Sequence, residues 1–369
     1  MSIEEIKYII FLIIDMISIA IYLWLVTDLK NVRIGAFAGN NPESSMKRKI
    51  FLAMCSLALL EGCVSVINDV IYSARETMGY FVGRIPDFIQ LLDAFLSEST
   101  CTILTLLWMI FVDYCVYKSP GHIKKRYTPY YVVAGAGIVF SAVSILSILI
   151  SYPDPSLVII VIMLLDTFIV MPAIQVIFAI KAYRVVAGHR EERRPPLFLR
   201  LDVFIVPVVT GCVLGLLIHS SLRSLGFAIG LLLTLRIQKN RSRYIDPDTG
   251  FYNKDFLQLM YEHLEKNGYL KGMGIIFSAP ERTDELVKVV GQLDYDNCEV
   301  ILLEGGKVLL TTGEQKKEAV ELIIRYVSAV ASAADPPFKI NTDTIERSEG
   351  ESAGAFASRI IETADRLAR

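Results

Sequence analysis

Apolar and polar positions divide the chain into two regimes. As far as residue 238 the apolar residues come in long runs of roughly 20, the length a helix needs to cross ~30 Å of hydrocarbon. The pattern predicts a bundle of seven transmembrane helices over 1–238, at 7–27, 50–73, 88–117, 129–151, 157–184, 198–219 and 221–238. The third run is overlong, which puts its start around Pro86–Asp93 at an interface. Only Ser220-Ser221-Leu222-Arg223-Ser224 separates the sixth run from the seventh.

Positive charge then alternates along the connections. Lys30, Arg33, Lys47, Arg48 and Lys49 lie between the first and second runs, and Lys118, Lys124, Lys125 and Arg126 between the third and fourth. Lys181, Arg184, Arg190, Arg193 and Arg194 lie between the fifth and sixth, and Lys239, Arg241 and Arg243 follow the seventh. The other connections hold only Arg75 and Arg84, no cation over 151–156, and Arg223. Basic loops stay in the cytoplasm, so the alternation predicts the N-terminus outside, the C-terminus inside and seven crossings.

After Arg243 the period changes. A linker helix is expected over 239–245, followed by a turn with capping side chains at Asp246-Pro247-Asp248-Thr249-Gly250. Phe256, Leu257, Met260, Tyr261 and Leu264 recur at helical spacing and predict an amphipathic helix over 253–267. A strand at 273–277 and a helix at 281–293 come next. Strands at 299–303 and 307–312 are joined by Glu304-Gly305-Gly306, with glycine where a hairpin needs positive φ. A helix at 315–333, a strand at 338–342 and a helix at 353–367 complete a small α/β domain over 246–369.

Composition sharpens this division. The mean hydropathy is +0.47 and 53% of residues are apolar, above the level of an ordinary soluble protein. Up to Ile245 there are 23 Lys and Arg against 17 Asp and Glu, and from Asp246 there are 14 against 22, so the parts carry +6 and −8. The opening Met-Ser-Ile-Glu-Glu is acidic and no small-residue cleavage site follows, so a cleaved signal peptide is not expected. Cys55, Cys63, Cys101, Cys115, Cys212 and Cys298 show no CxxC spacing and read as small hydrophobes. An acidic soluble part and topology-bound cations argue against nucleic acid as a partner. No P-loop, dinucleotide fingerprint, nucleophilic site or metal-ligand spacing occurs, so no cofactor and no metal are expected.

The segment Asp246-Pro247-Asp248-Thr249-Gly250-Phe251-Tyr252-Asn253-Lys254, with Phe256 after it, resembles the D-x-L-T-G-L-x-N-R-x-x-F opening of GGDEF domains, the diguanylate cyclase family. Gly274–Phe277 is similar to that family's first core strand, Gly305-Gly306 to its signature turn, and Ala364-Asp365-Arg366 to its closing A-D-x-A-L-Y. The resemblance covers 246–369 and implies a bacterial signalling protein that works as a homodimer. In the family, Asp-Glu-Phe follows the glycines, whereas here Gly306 runs into Lys307-Val308. The family's carboxylate at the end of the first strand is replaced by Phe277-Ser278-Ala279, and its F-K-x-x-N-D and R-x-x-D segments have no counterpart. Asp246, Asn253, Gly305 and Gly306 are what remains of the nucleotide site. Joining two nucleoside triphosphates requires Mg²⁺ held by carboxylates at ~2.1 Å, so the resemblance implies a pseudoenzyme with no catalytic residue.

Ionisable groups inside apolar runs are costly and therefore candidate functional residues. Glu61 and Asp166 lie near mid-membrane, and Asn68, Asp69, Asp93, Glu98 and His219 in the outer half. Asp113, Arg200, Asp202 and Arg236 lie toward the cytoplasm. Glu61 and Asn68, seven apart, share one helix face, whereas Asp93 and Glu98 do not. Asp93, Asp113, Asp202 and Arg236 lie close enough to an interface for water or one another to satisfy them. Glu61 and Asp166, with Asn68, Asp69 and Glu98, are the candidate ligand-binding residues of an outward-opening acidic cavity, which Pro172 and Pro207 could widen by kinking their helices.

The leading expectation is a multi-pass receptor of the cytoplasmic membrane. Its bundle senses an external or membrane-borne ligand, and its inactive cytoplasmic domain signals by dimerising, binding a nucleotide or docking a cytoplasmic partner. A transporter or membrane enzyme using intramembrane carboxylates is the alternative, and an active cyclase the third.

Overall fold

The computed structural model describes residues 3–30, 42–78, 85–117, 126–151, 157–192, 198–246, 249–266, 273–291, 299–311 and 317–367. Arg33, Arg84, Lys118, Lys124, Lys125, Arg193, Arg194, Pro247, Asp248, Asp296 and Cys298 lie outside them, as do the expected element ends at Asn267, Leu293, Thr312 and Gln315. The described residues form two compact units. The first runs to Ala187 and resumes over Leu199–Lys239; the second runs from Asn240, with Phe198 and 188–192.

All regular elements of the first unit are helices among its described residues. Its elements are α1 (Ile3–Lys30), α2 (Pro42–Met78), α3 (Ile85–Tyr117), α4 (Thr128–Ser151), α5 (Leu157–Leu165), a π turn (Asp166–Val170), α6 (Met171–Glu192), α7 (Asp202–Leu217) and α8 (Ser221–Ser242). Five stretches are long and apolar enough to cross a membrane: Ile6–Lys30, Ser45–Ile71, Leu91–Val116, Thr128–Ile148 and Phe168–Ala187. The two runs expected at 198–219 and 221–238 are helical as well, but α7 has only 16 residues, about 24 Å, and α8 is diluted by Arg223, Arg236, Lys239 and Arg241.

Those two helices are held together by their glycines. A Cβ on Gly211 would lie 2.7 Å from Gly226 Cα and 2.8 Å from the Leu222 carbonyl oxygen, so α7 and α8 touch backbone to backbone. Gly211 meets Gly226, while Gly215 packs on Arg223 and Gly230 on Phe204 and Val208, so the small-x₃-small spacing on each helix lets the other approach closely, as in lipid. The π turn has a local cause too. Pro172 has no N–H to give and its ring crowds the carbonyl one turn back, so an extra residue is accommodated just before it, closed by Met171 N–H donating to the Asp166 carbonyl.

Burial in this unit runs opposite to that of a soluble domain. Ile13, Leu23, Val132, Leu157, Ile169 and Val206 are exposed, while Asp15, Ser18, Glu61, Ser65, Ser97 and Asp113 are buried among Tyr22, Phe51, Met54, Trp108 and Phe111. An apolar coat around a partly polar interior is the distribution lipid selects.

The second unit has the usual distribution. It contains α9 (Lys254–Lys266), β1 (Met273–Ser278), α10 (Thr283–Gly291), β2 (Glu299–Leu303), β3 (Lys307–Thr311), α11 (Lys317–Ser332), β4 (Asn341–Glu346) and α12 (Ala353–Arg366). The sheet order is β2-β3-β1-β4 with every neighbour antiparallel, the split βαβ arrangement preceded and followed by a further helix. Ile276, Leu309 and Ile345 pack under Phe256, Phe356 and Ile360 of α9 and α12, while Phe277, Val308 and Leu310 pack against Leu286, Val290, Ile323 and Val327 of α10 and α11. Both sheet faces are covered, so β1 and β3 read as continuous apolar runs.

Three expectations shift. The last strand is Asn341–Glu346, not 338–342, because it pairs only with β1 and buries little besides Ile345. Phe338 and Ile340, the residues that suggested a strand, instead pack beside the core before it. The linker is the tail of α8, helical only to Ser242, after which Tyr244 and Ile245 turn. Asp246 does not cap α9; its carboxylate accepts from the backbone N–H of Thr249 at 3.0 Å and its hydroxyl at 2.6 Å, closing its own turn with Gly250 at φ +75°.

Candidate functional site

Several buried ionisable residues of the first unit meet in one network at the tip of the α7–α8 hairpin. From α8, Ser221 Oγ donates to Asp15 Oδ2 of α1 at 2.8 Å, and His219 Nδ1 lies 2.9 Å from the same hydroxyl. The His219 ring stacks on Phe11 with centroids 4.0 Å apart. Two turns further along α2 than Glu61, Asp69 brings its carboxyl beside that of Asp15. Arg223 Nη1 donates to Glu98 Oε1 at 2.9 Å and Nη2 to Ser97 Oγ, and Ser97 Oγ donates to Glu61 Oε1 at 3.1 Å. Asn68 Nδ2 donates to Asp93 Oδ2 at 3.0 Å, extending the network along α2 and α3. Tyr22 OH donates to the Ser224 carbonyl at 2.7 Å, so α1 grips α8 below the network as well.

Helix geometry places this network well inside the bundle. Asp15 is about 18 Å along α1 from Ile3, Glu98 about 20 Å along α3 from Ile85, and Asp69 about 14 Å along α2 from Met78. The hairpin tip therefore stops short of those three ends. Ser221 and Arg223, expected in the outer turn between the sixth and seventh runs, are instead drawn against the other helices, beside His219 of the outer half; Ser221 is fully buried and the Arg223 side chain only 13% exposed.

Of the expected ligand-binding residues, the structure brings Glu61, Asn68, Asp69 and Glu98 together here. Asp166 stands apart on the π turn, with Ser141 of α4 as its hydrogen-bond partner, so Glu61 and Asp166 have separate partners on separate helices. Asp93 and Glu98 take different partners in the same network, Asn68 and Arg223. Asp15, Ser97, Ser221 and Arg223 escaped sequence reasoning; an aspartate at the centre of the first apolar run was the available signal for Asp15. Toward the other ends, Asp28 accepts from Lys239 at 2.9 Å, Asp113 is fully buried, Arg236 is exposed, and the exposed Asp202 accepts from Arg200 at 2.7 Å.

Five carboxyls, one guanidinium and one imidazole leave the network rich in hydrogen-bond acceptors, which suits a ligand that brings a hydrogen-bond donor such as a hydroxyl. No group of three or more His, Cys, Asp or Glu among the described residues is arranged to hold a metal ion. Next to the network, α3, α6 and α7 enclose a slot of about 230 Å³. Trp108 and Phe204 stack at one end, 4.8 Å between centroids, and the Glu98–Arg223 pair stands at the other.

In the second unit the residues expected from the nucleotide site all hold backbone. Asn253 Nδ2 donates to the Arg243 carbonyl at 3.0 Å, and its backbone N–H to the Tyr244 carbonyl at 2.7 Å. Gly305 and Gly306 turn the β2–β3 hairpin with φ of +72° each, and a Cβ on Gly306 would sit 2.1 Å from Thr283 Oγ1. Lys307, almost fully buried, donates from Nζ to Asp365 Oδ1 at 3.2 Å. Lys254 Nζ donates to Glu304 Oε1 at 2.9 Å, and that carboxylate holds the ammonium above the usual lysine range. Register sets Ser278 directly opposite Lys307.

A scan against protein-family models finds no match to the chain, and a search of curated proteins finds none either.

Proposed function

We propose that the chain is a receptor of the cytoplasmic membrane with seven crossings, N-terminus outside, whose bundle senses a ligand and whose C-terminal domain is a catalytically inactive relative of the diguanylate cyclases. The observation that carries the sensing half is the buried network at the hairpin tip. It ties α8 to α1, α2 and α3 through Ser221, Arg223 and Ser224, and α8 continues unbroken to Ser242. A ligand that exchanges partners with Arg223 or Ser221 acts on the helix that leads into the second unit.

The observation behind the inactive half is the register of β1 on β3. Ser278 and Lys307 occupy the two positions where the resembled family carries metal-binding acids, and here they face each other as a hydroxyl and a cation. A lysine already paired with Asp365 offers Mg²⁺ nothing. The domain then signals through homodimerisation, nucleotide binding or a docked cytoplasmic partner.

The test uses the full chain in lipid nanodiscs, comparing hydrogen exchange in wild type, Glu61→Gln and Arg223→Gln. Changed protection in peptides covering 240–253 is expected; change confined to 215–228 sinks the receptor reading. Incubation with GTP and Mg²⁺ or Mn²⁺ is expected to yield no cyclic dinucleotide, and product above a heat-killed control would falsify inactivity. The transport reading draws on the same surplus of buried carboxyls, and proton-coupled uptake into proteoliposomes would favour it instead.

A further inference from the structure

We infer that the slot between α3, α6 and α7 binds a membrane-borne amphiphile, a single apolar chain ending in an uncharged hydrogen-bonding head such as a hydroxyl. This deepens the receptor reading and rests on it for the claim that occupancy is sensed. The shape argues for a chain. From Glu98 to Trp108 the slot follows α3 for about 15 Å, and from Phe204 to Leu216 it follows α7 for about 18 Å. A volume of about 230 Å³ spread over that length is narrow. The one hydroxyl on its α3 wall, Thr105, is already committed to the Cys101 carbonyl at 2.8 Å, which leaves that wall apolar.

The polar end selects the head group. Arg223 and Glu98 are 2.9 Å apart, with side chains 13% and 12% exposed, and neutralise each other. A charged head would add an unpaired charge to a low-dielectric site, which costs more than a chain of this size returns. Arg223 Nε, however, is buried with no hydrogen-bond partner, so the pair has a donor left to offer an oxygen acceptor. An alcohol, amide or ester oxygen meets that donor without upsetting the charge balance. A slot this long and narrow follows one chain, so the source is a free single-chain amphiphile that partitions into the bilayer.

The test uses the full chain in nanodiscs of phosphatidylcholine and phosphatidylglycerol. The probe is a long-chain primary alcohol bearing a diazirine, run beside its carboxylate and amine analogues and a diazirine phosphatidylcholine. Photolabelling by the alcohol is expected to concentrate on peptides containing 98–108 and 204–216, with unlabelled alcohol competing it at least fivefold. Val209→Trp, at the half-exposed rim, is expected to cut labelling about tenfold while leaving the unfolding midpoint in place. Val213→Trp serves equally should that variant fold poorly. Glu98→Gln removes the partner of Arg223 at the slot, leaving Glu61 behind Ser97, and is expected to raise labelling by the carboxylate relative to wild type.

Labelling spread evenly over α1 and α4, or indifferent to both tryptophans in folded protein, overturns the site. Preference of wild type for the carboxylate or amine overturns the head group, and phosphatidylcholine labelling that free alcohol does not compete overturns the free-amphiphile source. Specific labelling with no change in exchange at 240–253 overturns the receptor reading and keeps the site; the reverse overturns the site alone.

Discussion

The Arg223–Glu98 pair of the first unit and the Lys254–Glu304 pair of the second have the same 2.9 Å separation and opposite meanings. Glu304 is 78% exposed, water competes for both partners, and such a pair contributes about 0–1 kcal/mol. Arg223 and Glu98 are nearly enclosed, so each is the other's solvation, and removing either strands a charge. The same contrast holds for glycine. Gly211 and Gly226 admit one helix against another where no hydrophobic force draws helices together, whereas Gly305 and Gly306 supply φ of +72° at an exposed turn. Geometry alone does not rank an interaction; the medium around it does.

The first large effect expected attacks the helix contact. Gly211→Leu drives a side chain into the Gly226 backbone and is expected to destabilise the first unit by about 3 kcal/mol or more, read as loss of a monodisperse, trypsin-resistant protein in detergent. Wild-type-like resistance would mean that α7 and α8 are not packed through their glycines. Next come the ion pairs. Arg223→Gln and Glu98→Gln are each expected to cost about 3–5 kcal/mol, and the double variant far less than their sum. Additive losses would place the pair in water and erase the comparison. In the second unit, Lys307→Met removes a bond to the exposed Asp365 but keeps the buried stem, so a loss within about 1 kcal/mol is expected from denaturant titration.

The smallest effect is a pH dependence. Arg359 bonds both oxygens of Glu351, at 2.8 and 2.6 Å, and the Ser348 N–H donates to one of them, which holds this carboxyl below the usual glutamate range. A depressed folded value stabilises above the unfolded value of about 4.3 and is lost as pH falls. Exchange protection of α12 peptides is therefore expected to exceed that of Glu351→Gln at neutral pH and to converge on it in acid. A gap that widens on acidification would reverse the sign and refute the assignment.

The second unit was largely legible from its sequence because each strand and helix declares its period locally: 299–303 reads as a strand from its own residues and is one. β4 was misplaced because an edge strand that buries mainly Ile345 carries no apolar signature. The helices of the first unit were legible for the same local reason. Their rotations were not, since an all-apolar helix gives no face, and Asp15 finds its partner 206 residues away in Ser221. Charge in a short turn looked like an outer loop because a loop position says nothing of depth. Only the side-by-side arrangement of α1, α2 and α3 around the tip makes Arg223 an interior residue.

The second glycine of the β2–β3 hairpin bears on how such turns are recognised. Gly306 is fixed twice over, by its positive φ and by Thr283 crowding the place of a side chain. Neither constraint involves the position that follows, where Lys307 stands. The glycine pair thus answers to steric demand alone, and whatever stands after it is free to vary without disturbing the turn. A search keyed on the glycines recovers a shape, and the chemistry has to be read one residue further on.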